Sequence, residues 1–340
     1  MSDFTQKKID YKQYVVDSQL RYFKPHATKI EKSFAEEISF SLTQNFKFIS
    51  PKFFYDKKGS NLFESICLLP EYYPTRTEIS ILKKLKDDLP SYLDENIQLV
   101  ELGSGASVKT RLLLDIFTRL QTKTEYFPID ISEILTESSE QLLRDYDTLH
   151  ITGIIDTYEG GLEFLKNYDE KKNLIIFLGS SYGNFTPDDG KLFLEKIFST
   201  MKSGDLFLIG LDLVKDKNIL ESAYDDSQGI TAKFNLNVLS RINDELDADF
   251  NIDNFSHYSI YNKDDQRIEM NLKSLVSQSI IIGKSNLSLN LNKGELIHTE
   301  YSHKYKLSQI TELLNCAGFQ IKHTWLDDDS YFSVTLASKN

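Results

Sequence analysis

Between Ile97 and Val214 short apolar runs alternate with text of helical period, and this rhythm restricts the fold more tightly than any other property of the chain. IQLVEL ends in Gly103-Ser104-Gly105, and a helical pattern follows, starting near Ala106 and running from Lys109 to Leu120. The rhythm repeats in YFPID, which closes at Asp130 before a helix through Leu143, and in HITGII at 150–155. It returns in NLIIFLGSS at 173–181, a helix across Lys191–Met201, and DLFLIGLDLV at 205–214. Strands separated by helices imply right-handed crossovers and a parallel sheet. The unbroken apolar character of LIIFL and LFLIGL suits strands buried on both faces.

After Val214 the text turns helical through Ile242. It then alternates in β fashion at FSHYSIY, RIEMNLKS and around SIIIG, as an insertion with its own small sheet would. From Lys306 a helix stopping at Ala317-Gly318 leads into QIKHTWLDD and YFSVTLAS, two strands joined by the turn residues Asp327–Ser330. A terminal hairpin would complete the sheet. The first 75 residues read as mostly helical and outside the sheet, packing with the insertion as a second lobe. The expected division is a sheet domain over 77–212 and 304–340 and an α+β substrate lobe over 18–76 and 213–303. A chain of 340 residues suits two domains of about 150 residues each, or one domain carrying a large insertion.

A net charge of −12 repels phosphate backbones, so nucleic acid is not an expected partner. The two cysteines, Cys67 and Cys316, are far apart, and the six histidines form no HExxH or similar spacing. His298 and His303 are expected in ordinary surface or supporting roles, and no metal is expected. No run approaches the ~18 apolar residues of a membrane span. The N-terminal MSDFTQKKIDYKQY lacks the apolar core of a secretory signal, so the expected location is the cytoplasm and the expected state a monomer.

The glycine turn carries the first chemical information. Glu101 precedes Gly-Ser-Gly, where missing side chains let a ligand approach the backbone. The third glycine of GxGxxG and the GK[ST] of a phosphate loop are both absent. Asp130, at the end of the second strand, either bridges two ribose hydroxyls or caps the next helix. A Glu-Leu-Gly-x-Gly turn, an acidic second strand end and a terminal antiparallel hairpin, without a pyrophosphate clamp, resemble the class I S-adenosylmethionine-dependent methyltransferases. That resemblance implies an α/β, Rossmann-like sheet binding an adenosine that bears no phosphate.

Longer motifs narrow this. YDKKGSNLFESICLLPEYYPTRTE at 55–78, VELGSGASVKTRLLLD at 100–115, FLGSSYGNFTP at 177–187, LDLVKD at 211–216, AYDDSQGITAKFNLNVL at 223–239 and HTEYSHKY at 298–305 resemble the histidine-specific methyltransferases of ergothioneine biosynthesis. The likeness spans about residues 25–338. It implies an enzyme that trimethylates the α-amine of free L-histidine to hercynine, with S-adenosylmethionine as cofactor and S-adenosylhomocysteine as product. It assigns Gly103, Lys109 and Asp130 to the cofactor, with Thr157 and Tyr158 near the adenine, where the family tends to read Asp-Phe. For the substrate it implies Asn184 and Tyr224 on the α-carboxylate, Tyr72, Glu300 and Ser302 on the imidazole, and Phe63 and Met270 as apolar walls. FLGSSYGN departs from the family's commoner GSTIGN at Ser181 and Tyr182.

The residue types suit that chemistry. Neutral donors such as Asn and Tyr can fix a carboxylate with no cation beside a sulfonium. An imidazole offers two nitrogens for a carboxylate and hydroxyls to read. Glu300 and Ser302 alternate on a β-like segment and share one face. The amine must lose a proton before transfer, and Tyr55 acting through water is the candidate for that step. Two other readings stay open: methylation of another α-amino acid such as tryptophan, and a non-catalytic cofactor-binding regulator.

Overall fold

The computed structural model describes residues 10–26, 33–103, 108–131 and 134–339. The chain begins with β1 (Tyr11–Val15) and β2 (Leu20–Pro25), then α1 (Phe34–Leu42), α2 (Lys57–Cys67) and α3 (Tyr73–Asp88). The alternating segment supplies β3 (Gln98–Leu102), α4 (Val108–Leu120), β4 (Thr124–Asp130), α5 (Ile134–Asp145) and β5 (Leu149–Ile155). It continues through α6 (Tyr158–Lys166), β6 (Asn173–Phe177), α7 (Pro187–Thr200) and β7 (Leu206–Asp212). Next come α8 (Lys217–Tyr224), α9 (Ile230–Leu246), β8 (Phe255–Asn262), β9 (Arg267–Ser274), β10 (Gln278–Ile282), β11 (Leu287–Leu291) and β12 (Leu296–His303). The chain closes with α10 (Leu307–Cys316), β13 (Gln320–Leu326) and β14 (Phe332–Ser338). Gly105 and the expected helix start near Ala106 lie outside the described residues.

The central sheet has the order β1-β2-β5-β4-β3-β6-β7-β14-β13. From β2 to β7 all neighbours pair in parallel, while β14 runs antiparallel to both β7 and β13. Every residue of β3, β6 and β7 is buried, which is what unbroken apolar runs between two helix layers require. Leu82, Leu113 and Leu142 pack from α3, α4 and α5 on one face, and Leu162, Leu194 and Leu314 from α6, α7 and α10 on the other. A third apolar cluster joins α1 and α2 to α9 and to β9–β11, through Ile38, Ile66, Val238, Leu272 and Ile282. Its strands form the sheets β12-β9-β8 and β10-β11.

Two expectations need correction. Residues 11–25 are a hairpin in the central sheet, with Leu20–Phe23 paired to Ile151–Ile154, and are neither helical nor outside the sheet. Asp17 turns the hairpin by accepting from the Gln19 and Leu20 amides at 2.7 and 2.8 Å. The helix expected from Lys191 starts at Pro187, because Thr186 caps it and proline at the first position has no amide hydrogen to satisfy.

Candidate active site

The C-terminal ends of β3 and β4 form the first half of the site. Gly103 takes φ +75°, and a Cβ there would lie 2.7 Å from the Tyr158 hydroxyl, so glycine is what keeps this cleft open. Asp130 ends β4 half-buried, and Ile131 and Val108, each 57% exposed, stand nearby as apolar surface. Glycine backbone, one carboxylate, a neutral phenol and apolar rim fit an adenosine without phosphates. Burial and the charge of Asp130 push the Tyr158 phenol up, so it is a hydroxyl and not an anion. Thr157 differs from expectation in one respect: its hydroxyl caps α6 by accepting from the Gly160 amide at 3.2 Å. Asp156 braces this loop from below, holding the Tyr11 hydroxyl at 2.5 Å and the Thr157 amide at 2.7 Å.

The second half is a pocket beside that cleft. Tyr55, Phe63, Tyr72, Asn184, Tyr224, Met270, Glu300 and Ser302, drawn from seven separate stretches of chain, all line it. Each arrives by a local device. Asp56 caps α2 through the Gly59 amide at 2.6 Å, and a Cβ on Gly59 would sit 1.7 Å from the Phe54 carbonyl oxygen; this turn sets Tyr55 and Phe63. Asp226 gathers the Gln228, Ile230 and Thr231 amides at 3.1, 2.9 and 2.7 Å, which opens α9 directly after Tyr224. Glu71 accepts from the Ser227 hydroxyl at 2.6 Å, tying the Tyr72 turn to that loop. A bulge in β12 between His298 and Glu300 precedes the two pocket residues of that strand.

The turn carrying Asn184 is more constrained than its composition suggests. Gly179 and Ser180 both take positive φ, +85° and +58°. Ser180 accepts from the Asp212 amide at 3.1 Å, and a Cβ on Gly183 would come 2.9 Å from the His303 carbonyl oxygen. Glu78 of α3, fully buried, takes the Gly179 amide on both carboxylate oxygens at 2.9 and 3.0 Å. The same carboxylate pairs with Lys109 at 2.6 Å. Lys109, expected at the cofactor, is therefore also tied to the base of the turn that carries Asn184.

Lys304 departs furthest from the sequence reading, which needed no cation near the substrate. Its ammonium lies 2.9 Å from the Tyr224 oxygen, 2.7 Å from Ser302 Oγ and 2.8 Å from Asp212 Oδ2. The Tyr224 and Ser302 hydroxyls, expected at opposite ends of the substrate, are 2.7 Å apart. Thr231, Phe234 and Ser180, none of them singled out in the sequence, also line the pocket.

Burial pushes the Glu300 carboxyl up to about 7, with Lys304 opposing. Burial and the Glu300 charge raise the Tyr55 phenol, which packs on Phe63 and Phe234 yet is 44% exposed. Tyr55 thus stays protonated and can relay a proton only through its hydroxyl. His298 and His303 are buried rather than at the surface, and burial lowers each to about 4.

These shifts set a pH test. A carboxyl raised in the fold binds more protons than in the unfolded chain between about pH 4.3 and 7, so it lowers stability as pH rises through that window. The two histidines, lowered in the fold, raise stability over about pH 4–6.5, so only a difference between proteins isolates Glu300. Glu300→Gln is expected to gain up to about 2–3 kcal/mol over the ligand-free wild type between pH 5 and pH 8. Thermal unfolding across that range checks it; parallel curves would remove the buried carboxyl as the cause.

A doubly wound sheet ending in an antiparallel hairpin, with an adenosine-type cleft opening on a ring-lined pocket, defines a class I methyltransferase. A family profile described as "Histidine-specific methyltransferase, SAM-dependent" matches residues 34–339, and the chain belongs to that family. It is 37% identical over 302 residues to the histidine N-alpha-methyltransferase of Mycolicibacterium smegmatis, covering 88% of this chain and 93% of that one. To the histidine N-alpha-methyltransferase of Mycobacterium tuberculosis it is 38% identical over 294 residues, 86% of this chain and 91% of the other. It also matches ergothioneine biosynthesis protein 1 of Neurospora crassa at 29% over 285 residues, 82% of this chain but 32% of that protein.

Proposed function

We propose that the protein binds S-adenosylmethionine and free L-histidine and trimethylates the histidine α-amine to hercynine, the first step of ergothioneine biosynthesis. One observation supports this above the rest: the residues that the motifs assign to an amino-acid substrate converge on a single pocket. Gly103, Asp130 and Tyr158 hold the cofactor, which supplies an electrophilic methyl group when bound. Asn184 and Tyr224 fix the α-carboxylate, and Glu300 accepts a ring N–H while Phe63 and Met270 wall the ring. With both ends held, the amine is confined to the in-line approach that methyl transfer needs. The amine proton leaves to solvent water at the open side of the pocket, the Tyr55 hydroxyl passing on its own proton as it accepts the amine's. A tryptophan substrate is disfavoured, because an indole carbon edge would leave the Glu300 carboxyl without a partner at about 1–3 kcal/mol.

Mass spectrometry of purified protein with S-adenosylmethionine and a panel of free amino acids tests class, substrate and methyl count together. A mass gain of three methyl groups on histidine is expected; none on histidine, or a larger gain on another amino acid, rejects the reading. Asp130→Ala should weaken S-adenosylhomocysteine binding by about ten- to a hundredfold in calorimetry, the loss of a charged hydrogen bond to the ribose. Unchanged affinity would reduce Asp130 to a structural role.

A further inference from the structure

The least expected group in the molecule is the ionic cluster beneath the pocket. Asp212, the last residue of β7, is fully buried and meets two lysines, Lys304 at 2.8 Å and Lys215 at 2.5 Å, as well as the Tyr73 hydroxyl at 2.7 Å. Lys215 also donates to the Tyr73 oxygen at 2.7 Å. Two further carboxyls face this cluster: Asp327 acts on Lys215, which burial lowers to about 8, and Glu300 feels the Lys304 charge. Lys304 is the ammonium of the cluster that is bonded to pocket residues, and a buried charge polarises the groups it is bonded to.

The hydrogens say what Lys304 offers the pocket. An ammonium group has three N–H donors, and Lys304 spends them on Asp212, Tyr224 and Ser302. Both hydroxyl oxygens therefore accept from Lys304. The two hydroxyls also bond to each other, which uses one of their two hydrogens. One hydrogen remains, and both residues line the pocket. The pair thus faces the ligand as a single donor, polarised by the cation behind it, and a donor backed by a cation selects an anionic acceptor. Glu300 is the other acid of this pocket, and the Lys304 charge acts on it as well.

We infer that Lys304 is a positioning and specificity-determining residue: through Tyr224 and Ser302 it presents its charge to the substrate's α-carboxylate. The inference rests on the amino-acid reading of the pocket and deepens it, because it names the group that makes the site demand a carboxylate. The charge state agrees with the geometry. Burial pulls the Lys304 ammonium down, but Asp212 and Tyr224 beside it more than restore it, so it stays above the usual lysine range. Asp212 is held below the usual carboxylate range by the two lysines, despite its burial.

The test compares histidine with histidinamide, whose neutral amide replaces the carboxylate, in wild type, Lys304→Met and Tyr224→Phe. Wild type is expected to favour histidine in kcat/KM by roughly ten- to a hundredfold, because the amide keeps an acceptor but loses the charge that makes the bond strong. In Lys304→Met histidine should fall about thirtyfold or more, histidinamide far less, and the ratio should collapse while S-adenosylhomocysteine affinity in calorimetry holds. Equal losses for both substrates would make Lys304 a support of the fold and overturn the inference. If Lys304→Met does not fold, Tyr224→Phe decides, since it removes the relaying hydroxyl and leaves the ion cluster whole; an undiminished preference for histidine there overturns the relay. A wild type that methylates neither compound rejects the substrate reading itself, a result distinct from wild-type activity with an unchanged ratio in the variants.

Discussion

Glu300→Ala is expected to lower histidine kcat/KM by about ten- to a hundredfold, and to lower it for histidine far more than for tryptophan. The first part follows from losing a charged hydrogen bond to a ring N–H, worth about 1.5–3 kcal/mol. The second follows from what the carboxyl does to a wrong ligand. Burial has raised Glu300 to about 7, so it is ionised in an assay at pH 8 and needs a donor. An indole carbon edge offers none, whereas alanine removes the demand and opens space beside Met270 for a larger ring. Steady-state rates with both amino acids, taken at pH 8, measure the ratio. Equal loss for both would assign Glu300 to the fold or the cofactor, and an unchanged histidine rate would remove it from the site.

The central sheet is legible in the sequence because its strands are buried on both faces and read as apolar runs no surface element would carry. IQLVEL, NLIIFL and DLFLIGLD became β3, β6 and β7, and they pair in parallel as strands separated by helices do. The hairpin of β1 and β2 is not legible in the same way. It lies at the sheet edge, four of the five residues of β1 are exposed, and Lys12, Arg21 and Lys24 interrupt its apolar positions. Charged edge strands of this kind avoid pairing with other chains, and the same charges make them resemble a solvated helix.

The pocket divides along similar lines. Tyr72, Asn184 and Glu300 stand in motifs long enough to identify, although singly each would pass for a packing, turn or surface residue. Lys304 and Asp212 were missed because their importance lies in burial, and nothing in His-Lys-Tyr or Leu-Asp-Leu states that both charges are sealed from water. Glu78 did leave a signal. Tyr73, Pro74, Glu78, Ile81, Leu82 and Leu85 are the buried positions of α3, so a glutamate falls on the apolar stripe of an amphipathic helix. A charge on that stripe has to be paired, and the sequence does not reveal with what.

Its partners make Glu78→Ala the substitution with the widest expected effect. The carboxylate ties Lys109 of α4 to the Gly179 amide at the base of the turn that places Asn184 in the pocket. Gly210 of β7 leaves room for it, since a Cβ there would lie 2.0 Å from the Glu78 oxygen. Removing one partner of a buried pair leaves the other charge unsatisfied, so a stability loss of about 3 kcal/mol is expected, with a fall in Tm of roughly 4 °C. Function should fail at both ends. The Gly179–Ser180 backbone is held at positive φ partly by this carboxylate, and without it the turn relaxes and Asn184 moves away from the pocket. Lys109 is released at the same time. Calorimetry should therefore show weaker binding of both S-adenosylhomocysteine and histidine, well below the Tm of the variant. Glu78→Gln should retain an acceptor for Gly179 while losing the charge for Lys109, and so should weaken the cofactor more than the amino acid. If Glu78→Ala lowers Tm but leaves both affinities intact, the carboxylate braces α3 against the sheet and does not couple the two halves of the site.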